Sequence, residues 1–242
     1  MDIGIYRKSV SILIPVKNEE ETIGKVLTEI NEAIPNLLSK YDFRIIVIDG
    51  NSTDKTRDII KKFNNVELIM QDKKKPGKGN GLIQAFQAVR SDIFVLMDGD
   101  FSHRAHDLHL LLDSIENGYG FVIASRGLGG SDEYTTMRTF GNVILTSTFS
   151  ILFGVKLTDI LNGYKSFRSD VVKGHNFTAG DLHIEVEILS VAIARKYSIK
   201  EIASHERERA GGEAKSRIFK HGFLILFEII KQGIKYRLGI LK

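Results

Sequence analysis

Short apolar runs alternate with helical apolar stripes along the first hundred residues of the chain. Four runs, at 10–16, 43–48, 66–70 and 93–97, have the length and β-branched content of buried strands. Between them, apolar residues recur every three or four positions, as at Ile23, Val26 and Ile30, which predicts helices. This alternation predicts an α/β fold with a mostly parallel central sheet and helices on both faces.

The alternation loosens after residue 100. The pattern predicts a helix over 108–115, a strand over 121–124, a loop over 126–132 and a mostly apolar helix over 137–153. A helix over 185–197 and a strand over 199–203 follow, and the stripe over 218–240 predicts one amphipathic helix or two. We therefore expect one α/β domain over 1–217 and an amphipathic helical tail over 218–242.

Three polar loops, at 15–19, 49–54 and 98–102, follow predicted strands. In parallel sheets, ligands bind outside the carboxyl ends of the strands. Asp98 and Asp100 are two residues apart, so in an extended segment their side chains point to the same side. Gly99 between them allows close approach of backbone or ligand. Two carboxylates suit Mg²⁺ or Mn²⁺ carrying a diphosphate, although the pair by itself also fits a plain strand end followed by a polar turn.

Composition narrows the classes of partner. The 242 residues include no cysteine, which excludes disulfides and cysteine-ligated metals and fits a reducing cytosol. The net charge of +4 suits an anionic membrane surface, nucleotide phosphates or nucleic acid. No nucleic-acid motif accompanies that charge, so we expect no nucleic-acid partner.

Six segments, in chain order, together resemble family 2 glycosyltransferases of the GT-A fold. They are 15–19, 49–54, 97–103, 125–126, 162–168 and 209–215. Within that family the greatest similarity is to the polyprenyl-phosphate glycosyltransferases, the group of dolichyl-phosphate mannose synthase. The resemblance extends over roughly residues 9–217.

The resemblance implies a nucleotide-diphosphate sugar donor of the GDP-mannose or UDP-glucose type, with Mg²⁺ or Mn²⁺ as cofactor. It implies metal contacts from Asp98, Asp100 and Ser102. The implied nucleotide-sugar contacts are Pro15, Lys17, Asn18, Glu19, Asp49, Asp54, Lys78, Asp98, Gly99 and Lys215. Asp54 also fits a helix N-terminus and Lys78 a solvated loop. Gly50 stands where the family commonly has a second aspartate, which leaves the nucleotide open.

The implied acceptor is a polyprenyl (dolichyl) phosphate, attacked with inversion at the sugar. Arg126 and Arg138 correspond to acceptor-phosphate arginines, and the implied catalytic residues are Asp100, Arg126 and Arg209. The acceptor oxygen is already anionic at neutral pH, so no general base is needed. A hydroxyl acceptor would need one, and the candidates are Asp181, Glu185 and Glu187, although the resemblance makes Glu185 structural. A nucleotidyltransferase on a similar sheet is a further alternative.

Two broad apolar faces, at 137–153 and 218–240, bear on localisation. Basic residues surround the second face, and basic amphipathic helices can lie in a membrane interface. Packing on the core or a homodimer contact are the alternatives. We expect an enzyme peripherally associated with the cytoplasmic face of a membrane, through the bilayer itself or through a membrane-protein partner.

Overall fold

One seven-stranded sheet carries the fold of the computed structural model, which describes residues 7–133, 135–210 and 218–241. The strands lie in the order β3-β2-β1-β4-β6-β5-β7. Their bounds are β1 Lys8–Val16, β2 Tyr41–Asp49, β3 Val66–Met70, β4 Ile93–Leu96, β5 Phe121–Ser125, β6 Lys165–Arg168 and β7 Ile199–Ala203. Only β6 runs antiparallel to its neighbours among these strands, so the predicted mostly parallel sheet is confirmed.

The order of the strands reverses at β1, since β2 lies on one side of it and β4 on the other. Such a reversal opens a crevice at the carboxyl ends of the two strands, which is where ligands bind in open α/β sheets. The loops 15–19 and 98–102 both leave the sheet at this crevice, and the loop 49–54 follows the adjacent β2. The topology therefore brings the three polar loops to one edge.

The helices largely follow the apolar periodicity. Their bounds are α1 Ile23–Ala33, α2 Thr56–Ile60, α3 Lys78–Ala88, α4 Leu108–Glu116, α5 Arg126–Gly129, α6 Thr136–Phe153, α7 Ile184–Ala194 and α8 Ile218–Arg237. The predicted loop over 126–132 begins instead with the one-turn helix α5, and the apolar stripe after residue 217 forms a single helix.

Apolar side chains fill both faces of the sheet. Alternate residues of β1 show this, because Leu13 packs with α3 and α7 on one face while Ile12 and Ile14 pack with α1 and α4 on the other. Strands covered on both faces read as continuous apolar runs, as observed in the sequence. The helices α6 and α8 join α3 and α7 on the first face.

One side of α8 packs on the body of the protein. Glu228, Ile229 and Gln232 are buried there, and Arg237 donates to the backbone carbonyls of Ile151 and Leu152 on α6. The other sides of α6 and α8 are exposed and apolar. Their exposed residues are Met137, Phe140, Val143, Ile144 and Ile151 on α6 and Phe223, Leu224, Phe227, Ile230 and Ile234 on α8. The division of the chain at residue 217 stays a prediction.

Within the described ranges, no helix combines the length and the apolar character that crossing a membrane requires.

Candidate active site

A tight turn, not a strand, presents the two central carboxylates. The strand β4 ends at Leu96, two residues before Asp98. Asp100 folds the turn back on itself, because its Oδ1 accepts hydrogen bonds from the backbone N–H of Ser102 at 3.1 Å and from its hydroxyl at 2.7 Å. The positive φ of Phe101, 67°, completes this turn. The two aspartates are thus held together by loop geometry rather than by strand alternation.

Neighbouring groups fix the Asp98 end of this turn. His103 is buried against Tyr164, with ring centroids 5.2 Å apart, and its Nδ1 accepts from the backbone N–H of Asp98 at 3.1 Å. Gly163 packs directly on the carboxylate, since a Cβ there would lie 2.3 Å from Asp98 Oδ2. Gly99 packs equally closely on Val16, where a Cβ would lie 2.5 Å from Cγ1. The turn therefore has little room to change its conformation.

Each carboxylate faces a cationic side chain. Lys78 Nζ lies 2.6 Å from Asp98 Oδ1, and Arg209 Nη2 lies 2.7 Å from Asp100 Oδ2. Burial raises the pKa of both aspartates, but the polar and charged groups around them outweigh it. Lys78 and His103 lower the pKa of Asp98, and His103 and Arg209 lower the pKa of Asp100. Both groups are therefore carboxylates at neutral pH.

A buried chain of charges runs inward from Lys78. Its Nζ also donates to Glu185 at 2.7 Å, and the second oxygen of Glu185 accepts from the fully buried Lys165 at 2.8 Å. Lys165 also donates to the backbone carbonyl of Asn162. Burial raises the pKa of Glu185, yet Lys165 and Lys78 hold it below its ordinary value. Lys78 is thus a positioned cation rather than a solvated loop lysine.

A cavity of about 450 Å³ lies beside this turn, and many of the predicted nucleotide contacts line it. We call it the donor-side cleft after those predicted contacts. Its lining includes Pro15, Lys17, Glu19, Lys78, Asp98, Gly99 and Asp100 from the sequence predictions, together with Gly50, Gln71, Gly77, Gly81, Asp181, Leu182, Arg209 and His221. Gly77 has a φ of 107° and lies against the backbone of Gly180, so the loop before α3 closes one side of the cleft.

Asn18, Asp49 and Asp54 join the loops beside the cleft. Asn18 Oδ1 accepts from the backbone N–H of Thr53 at 2.8 Å. The fully buried Asp49 accepts from the backbone N–H of Ser52 at 3.1 Å. Asp54 accepts from Thr56 at the start of α2. This is the helix N-terminal role that the sequence allowed as the alternative to a nucleotide contact. Their role as nucleotide contacts stays a prediction, and Lys215 lies outside the described residues.

A second cavity of about 320 Å³, which we call the acceptor-side cleft after the acceptor contacts predicted from the sequence, shares Lys78, Asp98, Asp100, Leu182, Arg209 and His221 with the donor-side cleft. All three predicted arginines line it. Arg126 forms a bidentate pair with the buried Asp159, at 2.6 and 3.0 Å, and Arg138 pairs with Glu133. Apolar residues close the remaining walls: Met137, Leu145, Leu161 and Ile225.

The carboxylates that orient these arginines were not predicted from the sequence. Asp159 and Glu206 hold Arg126, and Glu133 holds Arg138 while also accepting from the backbone N–H of Arg209 at 3.0 Å. Asp159 lies just before the 162–168 segment that carries the family resemblance, and this proximity is the only feature of the sequence that could have pointed to it. Pairs formed between distant segments leave no periodic trace in a sequence.

The donor set at the turn fits a hard divalent cation. In the described ranges no group of three or more histidine, cysteine, aspartate or glutamate side chains could hold a metal ion. Asp98 and Asp100 nevertheless provide two carboxylates at the junction of two clefts, and Mg²⁺ commonly binds one or two carboxylates together with substrate phosphates and water. The Ser102 hydroxyl donates to Asp100, so its role as a direct ligand stays a prediction.

Comparison with known proteins places the chain in a family. Residues 11–175 match the protein-family model described as glycosyl transferase family 2. The chain belongs to this family. A dolichol-phosphate mannosyltransferase from Pyrococcus furiosus is 29% identical over 85% of this chain, which spans 58% of that relative's length. A dolichyl-phosphate hexose transferase from Haloferax volcanii is 27% identical, with 95% of this chain and 96% of that protein covered.

The solved structure of another protein supports this fold. Glucosyl-3-phosphoglycerate synthase from Mycobacterium tuberculosis, in complex with Mn²⁺, UDP and phosphoglyceric acid, superposes with a TM-score of 0.75 at 19% identity. The match covers 93% of this chain and 78% of that one. The GT-A fold expected from the sequence is therefore confirmed.

Proposed function

We propose that this family 2 glycosyltransferase moves a hexose from a nucleotide-diphosphate sugar to a polyprenyl (dolichyl) phosphate, with inversion. The observation that carries the proposal is the meeting of two clefts at Asp98 and Asp100, one of them lined by three arginines and bordered by exposed apolar helices. An anionic acceptor with an apolar tail matches both features of that second cleft. The names of the two relatives support the same acceptor class.

On the donor side, the sugar diphosphate would lie across Asp98 and Asp100, with the nucleoside in the donor-side cleft. A bound Mg²⁺ or Mn²⁺ would stabilise the charge that develops on the leaving nucleoside diphosphate. Lys78 and Arg209 already lie against the two carboxylates, so both are placed to contact diphosphate oxygens. The Mn²⁺ and UDP of the structural neighbour support this assignment.

On the acceptor side, Arg126 and Arg138 would hold the lipid phosphate. Arginine forks match phosphate geometry, and the pairing of Arg126 with Asp159 fixes the direction of its guanidinium. A phosphate oxygen then attacks the anomeric carbon as the bond to the diphosphate breaks, and an α-linked donor yields a β-linked product. No proton has to be removed, because the attacking oxygen is anionic at neutral pH.

The alternative of a hydroxyl acceptor needs a carboxylate base. Glu185 is a poor candidate, because Lys78 and Lys165 hold both of its oxygens and lower its pKa. Glu187 is buried and accepts from the backbone N–H groups of Thr178 and Ala179. Asp181 lines the donor-side cleft and does not line the acceptor-side cleft, where Arg126 and Arg138 lie. These contacts favour the phosphate acceptor.

We further propose that the exposed apolar sides of α6 and α8 contact the membrane holding the lipid, at its cytoplasmic face. Phe140 and Phe227 are each 66% exposed, and Met137 of α6 both lines the acceptor-side cleft and is exposed. A lipid phosphate entering from a bilayer would therefore reach the arginines along an apolar path. Contact with a membrane-protein partner or a second copy of the chain would use the same surface.

A donor screen tests the proposal. GDP-mannose, UDP-glucose and UDP-N-acetylglucosamine are each offered with polyprenyl phosphate and Mg²⁺ or Mn²⁺, and lipid-linked sugar and released nucleotide are measured. We expect transfer from one donor that is lost in Asp100→Asn and strongly reduced in Arg126→Lys, which keeps the charge but not the fork. Asp58→Asn, a highly exposed carboxylate on α2, is the matched control. Absence of transfer from every donor, or release of pyrophosphate, would refute the assignment.

A further inference from the structure

Gln71, directly after β3, lies in the wall of the donor-side cleft with a fixed side-chain amide. The residue is only 6% exposed, and its Nε2 donates to the backbone carbonyls of Lys75 and Gly77, each at 2.7 Å. Only the nitrogen of an amide can face two carbonyl oxygens, so the assignment of Oε1 and Nε2 follows from these partners. Within the described part of the chain, Oε1 receives no hydrogen bond.

Two glycines leave this oxygen uncovered. A Cβ at Gly50 would lie 3.3 Å from Oε1, and a Cβ at Gly81 would lie 3.5 Å from it. Both glycines line the same cleft as Gln71. Position 50 is also where the chain departs from the second aspartate common in its family. Oε1 is therefore open to the cleft, and a ligand that supplies an N–H at this point gains a hydrogen bond to an amide that Nε2 already holds in place.

We propose that Gln71 Oε1 accepts a hydrogen bond from the nucleobase of the donor and so selects the nucleotide. The complementary chemistry is a protonated ring nitrogen, which uracil carries at N3 and guanine at N1. Adenine and cytosine have an unprotonated ring nitrogen at the corresponding edge, which would face the oxygen lone pairs. This inference deepens the proposed function, since it rests on the donor being a nucleoside diphosphate.

The charge distribution of the cleft supports the base rather than the diphosphate as the partner. Lys78 and Arg209 lie at the end of the cleft beside Asp98 and Asp100. Gln71 instead lies among Gly50, Gly81 and the apolar Ile48. An amide oxygen repels phosphate oxygens but accepts from an N–H, so the two ends suit the two ends of a nucleotide.

The competing explanation is that Gln71 only anchors the loop before α3 through Nε2. Loss of an anchor would weaken every nucleotide alike, whereas loss of a base contact would change the ratio of affinities between bases. Gln84 offers a matched control, because it holds the same loop through the carbonyl of Met70 and the N–H of Asp72. Its side chain lines the groove on the outer side of that loop, where Asp72 and Lys75 also lie.

The test measures nucleotide binding by isothermal titration calorimetry with Mn²⁺ and without any acceptor. The probes are UDP, GDP, ADP, CDP and the ring-N-methylated forms of UDP and GDP. We expect the wild-type protein to prefer UDP or GDP over its methylated form by about tenfold or more, the size of one hydrogen bond. Gln71→Leu should abolish that preference, and Gln84→Leu should retain it. Gly50→Ala, which would place a Cβ 3.3 Å from Oε1, should also abolish it.

Several outcomes would overturn the inference. One is a uniform loss of affinity in Gln71→Leu with an unchanged ratio, which would mark the residue as an anchor or as a ribose contact. Another is equal binding of all four bases by the wild-type protein. Failure to bind any nucleoside diphosphate would overturn this inference together with the proposed function. Base selection without transfer to polyprenyl phosphate would refute only the proposed acceptor.

Discussion

Glu185→Gln separates a structural role for this buried carboxylate from a catalytic one. The side chain lies between Lys78 and Lys165, at 2.7 and 2.8 Å, and only 5% of the residue is exposed. Removing its charge leaves the fully buried Lys165 ammonium without the carboxylate that pairs with it. Removing one partner of a buried ion pair lowers the free energy of unfolding by about 3–5 kcal/mol. We therefore expect the free energy of unfolding to fall by about that amount, a large part of the roughly 5–15 kcal/mol typical of a domain.

Urea denaturation followed by circular dichroism measures this change. With slopes of roughly 1–3 kcal/mol per molar urea, the midpoint should fall by at least about 1 M. Asp58→Asn removes one partner of an exposed pair with Lys61 and should cost less than about 1 kcal/mol. The double variant Glu185→Gln with Lys165→Met should recover part of the loss, because it also removes the stranded ammonium.

The turnover number of Glu185→Gln provides the result that would refute the structural role. If Glu185 were the general base for a hydroxyl acceptor, the glutamine variant would lose about 10²–10⁴-fold in kcat. Its stability would then be expected to change little, since a working base cannot be held by two lysines. We expect instead that the folded variant keeps its turnover within about tenfold. A stable protein without activity would contradict the structural role and favour a hydroxyl acceptor.

Three further predictions concern the acceptor arginines, the pH dependence of stability and the exposed helices. Arg138→Gln should raise the KM for polyprenyl phosphate about tenfold with less than about 1 kcal/mol change in unfolding free energy, because its partner Glu133 is part-exposed; an unchanged KM would contradict its phosphate role. Burial raises the pKa of Asp159, but Arg126 outweighs it and leaves the pKa below its ordinary value of about 4, so its contribution to stability is present above that pH and lost as the pH falls further. Urea denaturation at a series of pH values should therefore give a flatter acid profile for Asp159→Asn than for the wild type, and identical slopes would refute this. Phe227→Asp should reduce flotation with anionic lipid vesicles several-fold while Leu38→Asp, also exposed, should not; equal effects would exclude α8 as the contact surface.

Local pattern was enough to predict much of this fold. Strand and helix positions follow from apolar spacing, which depends only on nearby residues, and β3 and β7 were predicted with their observed bounds. The clustering of polar loops at one sheet edge follows from β-α alternation, because parallel strands all end on the same side. The sequence therefore determined the fold class, the family resemblance and the position of Asp98 and Asp100 at the edge where the parallel strands end.

Tertiary structure alone decided how these residues are held. The antiparallel strand β6 inserts between β4 and β5, and nothing in its short sequence specifies those neighbours. Lys78 meets Glu185 from 107 residues away, and Arg126 meets Asp159 from 33. The open acceptor of Gln71 depends on two glycines in other segments. Such pairings arise when packing brings distant segments together, and their charges and distances leave no periodicity from which they could be predicted.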